Sequence, residues 1–166
     1  MEDMIKELFD ILEQQERVYG KILKLSKDKT ELVVSGKVTE LENVVKLEQA
    51  LVMQVGRLEQ LRGTIAEHLA EKLNLGKQDI TISTLMGYMD EVQQKKLKSF
   101  EQRMLEILEE LKDTNQLNAK LIKQSLEYIE FSMNVIAGTS AAGNNYEGKG
   151  TARETKGGKN LFDIKL

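Results

Sequence analysis

The sequence predicts an all-α protein: an elongated antiparallel bundle of three long helices with coiled-coil-like packing, followed by a flexible C-terminal tail. Three observations carry this. The 166 residues include no proline. Apolar residues recur three and four apart over most of residues 1–137, the spacing of one helix face. At Gly138 the pattern stops, and residues 138–166 hold six of the chain's 12 glycines.

The first helix is expected over residues 3–34, with heptad rows Met4, Ile11, Val18, Leu25, Leu32, then Ile5, Leu12, Tyr19, Val33, then Leu8 and Ile22. Together they make the broad stripe of a bundle helix. Ser35-Gly36 ends it, because glycine takes the left-handed cap conformation cheaply. The second helix is expected over residues 39–74, starting at Thr39-Glu40-Leu41-Glu42, which has capping-box spacing. Its stripe is Leu41, Val44, Glu48, Leu51, Val55, Leu58, Arg62, Ile65, Leu69 and Leu73. A short helical link over 81–89 holds Ile82, Leu85 and Met86, with Asp79 or Thr81 as its cap. The third long helix is expected over 90–136, with Leu97, Phe100, Met104, Leu108, Leu111, Asn115, Asn118, Ile122, Leu126, Ile129, Met133 and Ile136 inward.

Two features exceed what a plain bundle needs. Glu48, Arg62, Asn115 and Asn118 interrupt the apolar stripes. Polar residues on a seam cost stability and can fix register or partner choice; they can also sit at the seam's edge. The expected partners of the charges on the second helix are the amides of the third, or a partner helix. The end of the third helix also carries a second apolar face, Leu117, Leu121, Tyr128, Phe131 and Val135. Its uses are cover by another helix of the chain, an interface with a second copy, or a partner-binding site. The tail closes on Leu161, Phe162, Ile164 and Leu166, a short element expected to order on contact, whereas the polar, glycine-rich stretch before it is too poor in apolar surface to fold alone.

Composition excludes several classes. No apolar run is long enough for a membrane span or a secretory signal core. The chain has no cysteine and one histidine, His68, too few nitrogen and sulfur ligands for a zinc or di-iron site. No phosphate loop stands between a strand and a helix. The net charge of -3 offers no basic face for nucleic acid, and Lys95, Lys96 and Lys98 read as a solvated helix face. No cofactor, no metal and no enzymatic activity are expected.

Glu48-x-x-Leu51 with Leu58-Glu59-x-x-Arg62 resembles the middle helix of FlgN-type flagellar export chaperones. Asn115-x-x-Asn118-x-x-Leu121-Ile122-x-x-Ser125-Leu126-x-Tyr128-Ile129 resembles their last long helix. Leu32-Val33-x-Ser35-Gly36 and a glycine-rich tail ending in Leu161-Phe162-Asp163 fit as well. The resemblance covers nearly the whole chain. It implies a cytoplasmic, non-enzymatic chaperone of type III export. Such a protein binds hook-filament junction (hook-associated) proteins, prevents their premature association and delivers them to the flagellar export gate. It also implies that clients dock on the C-terminal part, here the end of the third helix and the tail. A homodimer is compatible with the two apolar faces. The rival reading is a coiled-coil scaffold or tether without a secreted client.

Overall fold

The computed structural model describes residues 1–76 and 81–143, with side chains through residue 138. The described residues form α1 (Glu2–Ser35), α2 (Val38–Leu73), α3 (Ile82–Met86) and α4 (Glu91–Gly143), with no strand among them. Four helices thus stand where three long ones are expected. The extra one is the helical link: the Thr81 hydroxyl accepts a hydrogen bond from the Thr84 amide at 3.1 Å and makes a true helix start. The chain divides into two compact units, Met1–Glu127 and Tyr128–Leu166.

In the first unit α1 and α2 form an antiparallel hairpin, shown by Lys29 bonding Glu48 and Gln15 bonding Glu59. The turn between them is dictated by Gly36. Its φ of 66° lets the Lys37 amide reach the Leu32 carbonyl at 3.0 Å and the Gly36 amide reach Val33 at 3.2 Å. That double bond pattern closes a helix with its last carbonyls satisfied. Asn74, at φ 54°, closes α2 the same way, with the Leu75 amide on Ala70 and its own on Glu71. The Thr39 capping box does not form. Because α1 ends on so tight a turn, Lys37 already occupies the N-cap position of α2 and Thr39 falls inside its first turn.

The first unit's portion of α4 runs parallel to α1. Glu13 pairs with Lys96, Glu16 with Arg103, Ser26 with Asn115 and Thr30 with Asn118, so numbers rise together along both helices. Asp90 and Gln93 cap the start reciprocally, at 2.8 and 3.2 Å. Gln94 ties the preceding turn down through the carbonyls of Met86 and Met89.

The fully buried apolar residues cluster at the α3 end. They include Ile5, Leu8, Leu12, Val18 and Ile22 of α1, Leu58, Ile65 and Leu69 of α2, Leu85, Met89, and Leu97 and Phe100 of α4. Each such side chain contributes about 1.5–3 kcal/mol when removed from water. Towards the hairpin turn the apolar contacts of all three helices become only half-buried.

In the second unit, α4 continues as helix from Tyr128 through Gly138 to Gly143. The spacing predicts an end near residue 136. Glycine costs a helix interior about 1 kcal/mol without forbidding it, and Ala137, Ala141 and Ala142 are strong helix formers. The glycine-rich tail beyond, including Leu161, Phe162, Ile164 and Leu166, lies outside the described residues.

Gly36→Ala should lower stability by about 1 kcal/mol, the cost of a left-handed L-residue, with helicity unchanged. Urea unfolding followed by circular dichroism checks this.

Candidate functional site

Three helices bring the polar residues of the first unit together in one layer. Ser26 is completely buried and Asn118 is 2% exposed. The Ser26 hydroxyl donates to Asn115 Oδ1 at 2.8 Å. Asn118 Nδ2 donates to the Ser26 carbonyl at 2.8 Å and its hydroxyl at 3.3 Å. The Thr30 hydroxyl donates to Asn118 Oδ1 at 2.6 Å. One turn away, Lys29 Nζ holds both Glu48 carboxylate oxygens at 2.8 and 2.6 Å. Among the described residues no buried side-chain nitrogen or oxygen is left without a partner, as an ordered polar layer requires.

The partners differ from those expected. Glu48 bonds α1 rather than an amide of α4, and Asn115 and Asn118 bond α1 as well. Arg62 turns back on Glu59 of its own helix, and Gln15 of α1 donates to the same carboxylate at 3.1 Å. Helix α1 supplies the partner in nearly every case because it lies against both others. The Arg62 guanidinium, then Gln15, holds the Glu59 carboxyl below its ordinary range, although partial burial opposes them. Arg103 does the same to Glu16 and Lys96 to Glu13. Lys96 also lies 4.7 Å from the centre of the Phe9 ring, so this lysine packs rather than merely solvating its face.

The inward stripe of α4 is also displaced. The least exposed residues are Leu97, Phe100, Met104, Ile107, Leu111, Thr114, Asn118 and Leu121, a strict alternation of three and four. The expected stripe drifts off this row to Leu108 and Ile122, which are 38% and 37% exposed. Leu126 is 61% exposed, and in the second unit Ile129, Met133 and Ile136 are 52%, 47% and 65% exposed. The register explains the change within the first unit. Thr30 and Asn118 are 88 residues apart in sequence. At that offset Ser35, the last residue of α1, stands level with Lys123. Beyond this turn α1 has no residue left to cover α4.

The expected binding face is therefore divided. Leu121 is half-buried because it continues the inward row of Asn118, whereas Leu117 points outward. In the second unit Tyr128, Phe131 and Val135 are all exposed, Tyr128 by 71%. There the apolar residues of both predicted faces stand at the surface of one helix segment. His68 is exposed, and among the described residues no group of His, Cys, Asp and Glu could hold a metal ion.

Gln15, Ser26, Lys29 and Thr30 are the residues that sequence reasoning missed. The signal was present as gaps. Ser26 fills the empty place in the row Ile5, Leu12, Tyr19, Val33, and Gln15 and Lys29 fill and extend the row Leu8, Ile22. A polar residue at a heptad gap is a partner to look for when the facing helix also breaks its stripe.

The family model described as "FlgN protein" matches residues 1–154. Among curated proteins, the chain is 28% identical over 130 residues to "Uncharacterized protein YvyG" of Bacillus subtilis (strain 168), covering 76% of this chain and 78% of that one. No solved structure matches the chain.

Asn118→Ala should cost about 2 kcal/mol, since it removes a buried amide and its bonds to α1. Arg103→Ala, which breaks an exposed pair, should cost less than about 1 kcal/mol. Urea titration of both variants checks the contrast.

Proposed function

The chain belongs to the FlgN family, and from that membership and the exposed helix end we propose that it is a cytoplasmic chaperone for flagellar export. Its clients in this reading are hook-filament junction proteins. It would keep them from associating early and bring them to the type III export gate.

The observation that supports this most is the uncovered apolar surface of the second unit. Tyr128, Ile129, Phe131 and Met133 are 71%, 52%, 65% and 47% exposed within two helical turns. Soluble proteins rarely leave contiguous apolar patches uncovered unless the patch is used. An amphipathic client helix laid along these turns would bury its own apolar side, which would otherwise seek another copy of the client. Val135 extends the face in this reading. Leu161, Phe162, Ile164 and Leu166 add a terminal grip.

The polar layer has a separate task. Asn115 and Asn118 fix how α4 registers on α1, while Glu48 holds α2 to α1 through Lys29 and Arg62 stays on Glu59 of its own helix. A slide of one turn would leave Asn118 and Ser26 buried without partners, at about 1–3 kcal/mol each. The chemistry needed is binding and release; the family is one of chaperones. No described helix is long and apolar enough to cross a membrane.

Binding of the purified junction proteins of the same bacterium, measured by calorimetry, tests the reading. Tyr128→Ser with Phe131→Ser should weaken binding at least about 100-fold, as loss of two aromatic anchors does, with helicity unchanged. Loss of self-association with no junction protein bound by either chain would favour the scaffold reading.

A further inference from the structure

The first unit is held together differently at its two ends. Near α3 the interior is apolar and closed, from Ile5 to Leu23 on α1, from Leu58 to Ala70 on α2 and from Leu97 to Phe100 on α4. In the half towards the hairpin turn the buried side chains among the described residues are Ser26 and Asn118. Of the apolar residues near this half, Leu25, Leu32, Val33 and Leu121 are only half-buried, whereas Leu51, Val55, Met104 and Leu111 pack against the closed core. In that half, hydrogen bonds and ion pairs tie α4 to α1 and α1 to α2, and none among the described residues ties α4 to α2. Instead an open groove lies there, lined by Val45, Val52 and Met53 of α2 and by Asn115 of α4.

We infer that the stretch of α4 from Lys112 to Glu127 is a strap, latched to α1 by the Ser26–Thr30–Asn115–Asn118 cluster, that opens while the α3 end stays shut. The unlatched state is accessible for a physical reason. Separating an apolar seam exposes surface that water does not reward, whereas each group of this latch regains hydrogen bonds from water. The half-buried Leu and Val side chains add little resistance, because much of their surface is already wet. Helices α1 and α2 do not part so readily: they are joined through Gly36 and Lys37 and by the Lys29–Glu48 pair, whose side chains are 14% and 15% exposed. The remaining α1–α4 bond of this half, Lys27 to Glu110, is an exposed pair at 52% and 53% and contributes little. Opening bares the face of α1 that carries Ile22, Ser26 and Thr30, beside the groove on α2. This inference concerns the free protein and holds whether or not the proposed clients bind.

Native-state hydrogen exchange of the full chain, read by mass spectrometry, tests it. Amides of 112–123 should exchange about 100-fold faster or more than those of 5–12, 58–70 and 97–100, as a sub-global opening does. Equal protection in both halves would overturn the inference. A second variant isolates the latch: Ser26→Ala with Thr30→Val, Asn115→Leu and Asn118→Leu makes the seam apolar. It should slow exchange in 112–123 to within about 10-fold of the core amides, since no polar group then favours the open state. Unchanged fast exchange in that variant, with the core amides still protected, would show that the polar cluster is not the latch.

Discussion

Asn118 meets Ser26 and Thr30 of α1 in an interior that is otherwise half-open, and much of the structure follows from that contact. The amide donates to Ser26 and accepts from Thr30, so one side chain spans a full turn of the facing helix. A fit of this kind tolerates one register only, whereas leucines facing leucines tolerate several. Once α4 is set at this level, the rest is arithmetic. Phe100 reaches the apolar core at the α3 end, Arg103 reaches Glu16, and α1 ends beside Lys123. The same register that closes the core sets where α1 ends along α4 within the first unit.

The C-terminal ends of α1 and α2 and the α2 stripe were legible in the sequence because they rest on local rules. Gly36 and Asn74 stop their helices through left-handed caps, and every stripe residue from Leu41 to Leu73 is buried or half-buried. The α4 stripe was less legible, since period 3.6 and period 3.5 diverge by about a tenth of a residue per turn, enough to tip the choice between neighbouring residues. Choosing Leu108 and Ile122 over Ile107 and Leu121 follows apolar character, but the packing follows the strict repeat. Thr114 exposes the cause: it occupies an inward place that its polarity conceals. The four polar seam positions were visible as interruptions. Their partners were not, because Ser26 and Thr30 look like ordinary surface residues until the facing helix is placed.

The binding face shows the same division. Exposure of Tyr128 and Phe131 agrees with a second face read from spacing alone. That the first face is exposed too, at Ile129 and Met133, could not be read from periodicity, which records that a helix has an apolar side and not whether a neighbour covers it. In the proposed reading, such a surface would receive a client. A chaperone that must release its client benefits from a site built on one solvated helix, because binding there gains apolar contact without enclosing the client.

The direct measure of the central contact is a double-mutant cycle between Ser26→Ala and Asn118→Ala in urea unfolding. A coupling of about 1–3 kcal/mol is expected for two groups sharing one buried hydrogen-bonded cluster. Additive effects, with coupling below about 0.5 kcal/mol, would contradict the claim that this contact sets the register of α4.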